Sequence, residues 1–344
     1  MSQNRIPCIA VDATGGDLGS QVIVAGAVQA VKELAGAAEV ALFGDEQVIE
    51  AEISKLDAGG LPIRVVHAPE MIGMDEGAVA FRKKRNSSIA VATRMQKEGK
   101  ADAFVSAGNT GVVVAASLLG LGRLSGVDRP AIATVVPNAF GGCVMLDVGA
   151  NSECKPVNLV QFGIMGSIYA RNFLDRKEPR VGLLNIGEEN TKGSDLAVEA
   201  HRLLSESPLK FVGNVEGRDV FKGRADVVVC DGFTGNILLK FMESVVHLLT
   251  SSIKEEVNAA FRNKVGALLM RPAFKKLERM LDYAEYGPPP LLGVNGVCII
   301  CHGSSSAKAV KNAVKAAVRV VDTRVNDIIR DELRLYTGGK VEAS

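Results

Sequence analysis

The sequence lacks the signatures of the most familiar catalytic classes. It has no GxxxxGK[ST] loop, and the segment GEENTKGS places its lysine before the glycine. No GxGxxG follows the first apolar run, which weakens a dinucleotide-dependent dehydrogenase. There is no GxSxG nucleophile elbow and no HExxH. The four histidines, His67, His201, His247 and His302, are dispersed. Only His302 falls in a loop after a strand pattern, so a histidine-based triad has little support. An excess of one charge is also missing. Forty basic residues stand against 39 acidic ones, a net charge of +1. A general nucleic-acid binder carries a strong basic excess, so no nucleic-acid partner is expected. No run reaches the roughly 18 uncharged apolar residues of a membrane-spanning helix. The opening MSQNRIPCIAVDATGG does not read as a secretory signal, because its apolar run is short and enters a strand and turn. A soluble protein, attached at most to a membrane surface, is expected.

Cysteines are few and scattered: Cys8, Cys143, Cys154, Cys230, Cys298 and Cys301. Most lie in apolar runs, where a reduced thiol behaves as a small hydrophobe. Cys298 and Cys301 form a CxxC pair within GVCIICH. Residues three apart on a strand point to opposite faces, so joint metal binding is not expected. Core thiols in a reducing cytosol are the simpler reading.

What the sequence does contain is a repeated transition. Six times an apolar, β-branched stretch runs into a short loop of Gly, Asn, Asp, Ser or Thr, and then into a helical pattern. The loops are VDATGGD (11–17), SAGNTG (106–111), DVGANS (147–152), NIGEENTKG (185–193), DGFTGN (231–236) and CHGSSS (301–306). Strand patterns lie at 8–12, 40–43, 63–67, 103–106, 132–136, 144–148, 181–186, 211–214, 227–230 and 297–301. Helical patterns alternate with most of them, which predicts βαβ units and a mainly parallel sheet. A short turn around PNAFGG predicts one antiparallel hairpin. In a parallel sheet the six loops share one edge, where helix N-termini favour anions and ligands bind near the strand-order reversal.

From about residue 236 the character changes. Ile237, Leu238, Phe241, Val245, Leu248, Leu249, Ile253 and Val257 follow helical spacing in a broad stripe, which predicts a buried helix, against a second subunit among the options. The segment FRNKVGALLMRPAFKKLERML follows, with basic and apolar residues interleaved and Pro272 as a break. Such a basic amphipathic pair suits an anionic lipid surface or an acidic protein partner; an ordinary helical pair with a solvated face is equally open. A last helix over 307–333 reads as a packing element. There is no low-complexity linker, so one α/β domain over 1–338 is expected, with a helical insertion at 236–285.

Polar loops without an evident protein nucleophile suit a reaction in which the substrate is the nucleophile. Inorganic phosphate can attack an activated acyl group if the protein holds it, aligns it and stabilises the tetrahedral oxyanion. Lys192, in a Gly-flanked loop, is a candidate point charge or a plain solvated lysine. Asp12 and Asp17 flank Gly15–Gly16 and either orient a group or cap the next helix. Asn109 with Thr110 and Thr234 with Asn236 are caps or ligands on the same grounds. Asn151, Asn185, Asp231, His302 and Gly303 complete the loop candidates. No metal or redox cofactor is required.

These segments resemble the bacterial phosphate acyltransferase family, PlsX. The likeness runs in order through AVDATGGD, SAGNTG, LDVGANSE, GLLNIGEENTKG, FVGNVEGRD, DVVVCDGFTGNILLK, EYGPPPLLGVNG and HGSSS. It implies transfer of a fatty acyl group from acyl carrier protein to inorganic phosphate, giving acyl phosphate for phospholipid synthesis. It also implies a Rossmann-like α/β/α sandwich, usually dimeric, related to phosphotransacetylases and isocitrate/isopropylmalate dehydrogenases. The implied setting is cytoplasmic, with peripheral membrane contact through a helical hairpin at about 240–283. Residue by residue, the family's loops fall on Gly15, Gly16 and Asp17, on Asn109, Thr110 and Gly111, and on Thr234, Gly235 and Asn236. The lysine proposed to serve catalysis falls on Lys192. Lys192, Asn236 and Asp12 are therefore the expected catalytic residues. Two departures are visible: Thr14 where Met is common, and Pro288–Pro289 where Gly-Ala precedes Pro290. Outside this reading stand a phosphotransacetylase-like enzyme using acyl-CoA and a non-catalytic membrane- or carrier-binding scaffold.

Overall fold

Short Val-, Ile- and Leu-rich runs form strands buried on both faces, as parallel sheets between helices require. The computed structural model describes residues 5–281 and 287–336. Its strands are β1 (Cys8–Asp12), β2 (Glu39–Gly44), β3 (Ile63–His67), β4 (Ala103–Ser106), β5 (Ala131–Ile132), β6 (Thr134–Val136), β7 (Cys143–Leu146), β8 (Arg180–Leu184), β9 (Lys210–Val215), β10 (Val227–Val229), β11 (Leu291–Leu292) and β12 (Val297–Ile300). Ten of them form two five-stranded sheets rather than one, and β5 and β11 form a separate two-stranded ribbon. The first, in order β12-β4-β1-β2-β3, is wholly parallel. The second, β6-β7-β10-β8-β9, is parallel except for the antiparallel edge strand β6. The hairpin expected around PNAFGG is this β6–β7 pair.

Alternate residues of each strand feed two opposite cores. Ile9, Val11, Leu42, Val144, Leu146 and Val229 join one; Cys8, Ala10, Phe43, Cys143, Met145 and Val228 join the other. Each core runs through both sheets, so the two sheets are the middle layer of one α/β/α sandwich. The helices Ser20–Leu34, Pro156–Phe173 and Ala307–Asp322 cover the first side, and Ser88–Lys97 and Thr110–Ala116 the second. Fully buried side chains such as Phe43, Phe104 and Phe162 are worth about 3 kcal/mol each by apolar burial. Cys298 and Cys301 sit in different cores, on opposite faces of β12.

Expected elements differ from observed ones where tertiary pairing intervenes. The run 132–136 divides at Ala133: Ala131–Ile132 pairs with Leu291–Leu292, while Thr134–Val136 pairs with β7. The β5–β11 ribbon therefore fills the seam between the sheets. The last helical pattern divides at Arg324, whose φ of 49° turns the chain so that Val325, Ile329 and Leu333 are buried. From the second sheet projects a helical arm, made of Gly232–Ala259, Phe261–Leu269 and Arg271–Leu281. Pro272 lies in the first turn of the third helix, where its missing N–H costs nothing. The stripe expected to be buried is largely open in the single chain: only Gly232 and Gly235 of the long helix are buried, and Phe241 is 65% exposed. Residues 282–286 of the expected insertion lie outside the described residues. Among the described residues no helix is long and apolar enough to cross a membrane.

Candidate active site

The loop after β1 is organised by a buried carboxylate. Asp12 is 1% exposed. Its Oδ1 accepts from the Thr14 and Gly15 N–H groups and from the Thr14 hydroxyl, at 3.1, 3.2 and 3.0 Å. Its Oδ2 accepts from the Ser106 hydroxyl at 2.7 Å, and Ser106 Oγ accepts from Gly108 N–H at 3.0 Å. One side chain thus ties the loop after β1 to the loop after β4. Gly15 packs so tightly here that a Cβ would lie 2.7 Å from Gly108 N. The loop after β12 joins them, because Asp17 N–H donates to Gly303 C=O at 2.7 Å. Asn109 caps the helix Thr110–Ala116 by accepting from Val112 N–H, and its Nδ2 donates to Met74 C=O at 2.7 Å. Met74 is held in turn by Glu76, whose Oε2 accepts from Gly73 N–H at 2.7 Å and from Lys84 Nζ at 2.6 Å.

The second sheet contributes a parallel construction. Asp147, fully buried at the end of β7, accepts from the N–H groups of Ile132, Gly149, Ala150 and Asn151 and from Asn151 Nδ2. Burial pushes its pKa up, while the hydrogen bonds from Ala150, Asn151 and Ile132 pull it back. Asp231 caps the long helix, accepting from the Thr234 N–H at 2.9 Å and its hydroxyl at 2.7 Å. The first turn of this helix rests directly on the Asp147 loop. A Cβ on Gly235 would lie 1.9 Å from Asp147 O, and one on Gly232 would lie 2.6 Å from Asn151 O. No larger residue fits either position without moving the backbone.

Loops from both sheets close on a cleft of about 330 Å³ at the seam. Of the expected residues it gathers Asp17, Thr110, Gly111, Asn236, His302 and Gly303. Asp12, Gly15, Asn151, Asp231, Thr234 and Gly235 stand behind this wall and fix the loops. Gly16 backs onto Gly303 O, 3.0 Å from where its Cβ would be, and Asn109 serves as cap and Met74 clamp. Residues that sequence reasoning missed are also present: Met74, Thr134, Gly149, Lys240, Glu243 and Ser305. Lys240 had a signal, since it lies four residues after Asn236 on one helical face. Among the described lining residues it is the only lysine or arginine. Asp17 and Glu243 oppose it, so an anion here depends on fixed N–H and amide donors as much as on net charge.

Lys192 and Asn185 are elsewhere. Neither lines the cleft. The loop after β8 closes on itself: Asn185 Nδ2 donates to Lys192 C=O at 2.9 Å, and Asn214 Nδ2 donates to Glu189 C=O at 2.7 Å. The Lys192 side chain is exposed.

The cleft offers no ready protein nucleophile. Cys301 lines it, but the thiol is 3% exposed and burial pushes its pKa up to about 12, which suppresses the thiolate. His302 Nδ1 lies 2.8 Å from Ser304 Oγ and accepts from Ser304 N–H at 3.2 Å. That donation assigns the proton of the neutral ring to Nε2. Among the described residues, no three His, Cys, Asp or Glu side chains cluster as metal ligands.

A family model described as fatty acid synthesis protein matches residues 8–328. The chain is 54% identical to the phosphate acyltransferase of Heliobacterium modesticaldum over 336 residues, 97% of this chain and 98% of the relative. It is 50% identical to the phosphate acyltransferase of Pelotomaculum thermopropionicum over 326 residues, 94% of each chain. Among solved structures it is similar to a phosphotransacetylase from Streptococcus pyogenes, with a TM-score of 0.60 at 16% identity, covering 92% of this chain and 94% of that one. The EutD phosphotransacetylase from Staphylococcus aureus gives a TM-score of 0.57 at 18% identity, covering 92% and 94%. At such identities the structural likeness concerns the fold alone.

Proposed function

The chain belongs to the fatty acid synthesis protein family, that of the bacterial phosphate acyltransferases, and from this premise we propose that it moves a fatty acyl group from acyl carrier protein onto inorganic phosphate. The observation that carries this reading is the seam cleft, walled by loops whose own hydrogen bonds hold them open. Phosphate occupies the space beside Thr110, Gly111, Gly149 and Asn236, with Lys240 as the positive charge. In this reading Lys240 takes the part that the resemblance assigns to Lys192. A phosphate oxygen attacks the thioester carbonyl and a C–O bond forms. The tetrahedral oxyanion is stabilised by Lys240 and the amide donors. The C–S bond then breaks, and the departing pantetheine sulfur takes up the proton that the attacking hydrogen phosphate gives up, directly or through water. The product is acyl phosphate, and the protein is unchanged. Because the nucleophile is the substrate, the protein's contribution is alignment and charge stabilisation.

The arm serves the partners of this reaction. Phe261 is 83% and Leu269 79% exposed, beside Arg262, Lys264 and Arg271. Apolar area of this kind is usually covered. A second copy of the chain and an anionic membrane surface are its occupants in this reading. Light scattering and flotation with phosphatidylglycerol vesicles test them separately.

The central test mixes protein, long-chain acyl carrier protein and phosphate, and traps acyl phosphate as the hydroxamate. Phosphate-dependent hydroxamate is the expected result. Equal or better turnover with the same chain on coenzyme A replaces the carrier by acyl-CoA. Tight carrier or vesicle binding without any hydroxamate turns the protein into a scaffold.

A further inference from the structure

The cleft does not end at the anion wall. Four of its residues, Thr134, Leu239, Glu243 and His302, also line a second and larger groove of about 640 Å³. One side of that groove is the edge strand β6 with its continuation, Thr134, Val135, Val136 and Pro137. The other is one face of the long helix. Leu239, Met242, Val246 and Thr250 recur at three- and four-residue spacing and therefore stand in a row. From Leu239 to Thr250 the helix advances about 16 Å. Apolar side chains from both walls run along this length, with Ser244 beside them and the polar groups His247 and Thr250 at the far end.

This arrangement separates two chemistries that meet at a shared rim. The cleft carries Thr110, Asn236, Lys240 and several glycines among apolar neighbours such as Ile132 and Val148. The groove has no glycine, lysine or arginine, and its apolar walls come from Val135, Val136, Pro137, Leu239, Met242 and Val246. A fatty acyl thioester has the same division: a polar reacting carbonyl at one end and a methylene chain leading away from it. With the carbonyl at the His302–Glu243 rim, the chain meets this groove directly, whereas a third cavity that shares Gly287 and Pro288 with the cleft carries Asn312, Lys315 and Arg319.

We propose that the groove between β6 and the long helix holds the acyl chain of the donor, and that Met242 and Val246 set the chain length accepted. This assignment rests on the acyl-transfer reading of the cleft and extends it to a second subsite. Each methylene buried in such a groove is worth about fourfold in affinity. Discrimination between chains therefore accumulates along the row, whereas the anion cleft treats all chains alike.

The test uses the full chain and carrier-linked acyl donors of increasing length, butyryl to palmitoyl. Val246→Trp fills the middle of the groove. It is expected to lower the palmitoyl-to-butyryl ratio of kcat/KM by 30-fold or more, with the butyryl rate and the KM for phosphate within twofold of the parent. Met242→Ala enlarges the groove and is expected to move the optimum toward longer chains. A second readout does not need turnover. The chain contains no tryptophan, so Thr250→Trp places a lone indole at the far end. Palmitoyl donor, and not butyryl donor, should shift its emission to the blue. An unchanged chain-length ratio in folded Val246→Trp, or an indole that responds equally to both donors, overturns the groove assignment. A Val246→Trp protein whose altered property is its oligomeric state makes the groove an interface between copies instead. Absence of acyl phosphate from every donor overturns the transfer reading, and the indole shift then judges the groove by itself.

Discussion

The loops around the cleft and the arm that projects from it are built on opposite principles. In the loops two buried carboxylates hold the turns, Asp12 through the N–H groups of Thr14 and Gly15 and Asp147 through those of Ile132, Gly149, Ala150 and Asn151. In the arm the backbone is satisfied by the helices, and large apolar side chains stand in solvent. The first construction yields a fixed shape whose remaining donors are available to a ligand. The second yields a surface whose large apolar side chains the single chain leaves uncovered. The lesson is that polarity alone locates the site poorly. What matters is whether polar groups are already held in place by others.

The harshest way to break this contrast is to strike where the two constructions meet. Gly235→Ala drives a Cβ into the Asp147 carbonyl. We expect loss of about 3 kcal/mol of stability in urea unfolding and acyl transfer below 1% of the parent. Normal activity in this variant would mean that the helix start and the cleft are independent. Next in size, Lys240→Ala should reduce kcat/KM for phosphate about 100-fold, whereas Lys192→Ala should change it less than threefold. Equal losses in steady-state assays would return the loop after β8 to the site. On the arm, Phe261→Ser should leave urea stability within about 0.5 kcal/mol and alter only particle size or vesicle binding. A drop in monomer stability would show that the arm is not a separate construction.

The smallest effect concerns pH. Hydrogen bonds from Lys84 and from Gly73 N–H hold Glu76 below the ordinary carboxylate range. A depressed carboxylate stabilises the fold above its unfolded pKa of about 4.3. That support is lost as pH falls through the lowered value, which frees the Gly73–Met74 turn at the cleft mouth. Protection of the Gly73 amide from exchange, relative to an unfolded peptide at the same pH, should fall below about pH 4, and Glu76→Gln should lack that protection at neutral pH. Protection that stays constant across this range in the parent chain would remove Glu76 from this role.

Much of the fold was legible in the sequence because strand periodicity and the Gly/Asn/Asp loops are local signals. Ile9 and Val11 against Cys8 and Ala10 already predict two cores. The division into two sheets was not legible, since Ala131–Ile132 and Leu291–Leu292 pair across nearly half the chain. The site was legible in part. Thr110, Gly111 and Asn236 announce themselves by composition. Met74 enters through a contact with Asn109 that no local pattern encodes. Lys192 stands out in the sequence because its loop is rich in Gly and Asn, while its place outside the cleft lining is set by non-local bonds. The bonds that fold that loop on itself come from Asn185 and from the distant Asn214. Conversely, Lys240 sits inside an ordinary helical run and gains its place only through the turn it shares with Asn236.

The long helix has no glycine or proline after its first turns, so from Ile237 to Ala259 it behaves as a single screw. Asn236 and Lys240 on one thread face the cleft, and Met242 and Val246 follow on the next. One residue inserted between Lys240 and Met242 would rotate everything beyond it by about 100°, turning valines away from β6 while leaving the anion wall untouched. Seven inserted residues, close to two full turns, would restore the phase. Length changes in this segment are therefore tolerated in steps rather than continuously.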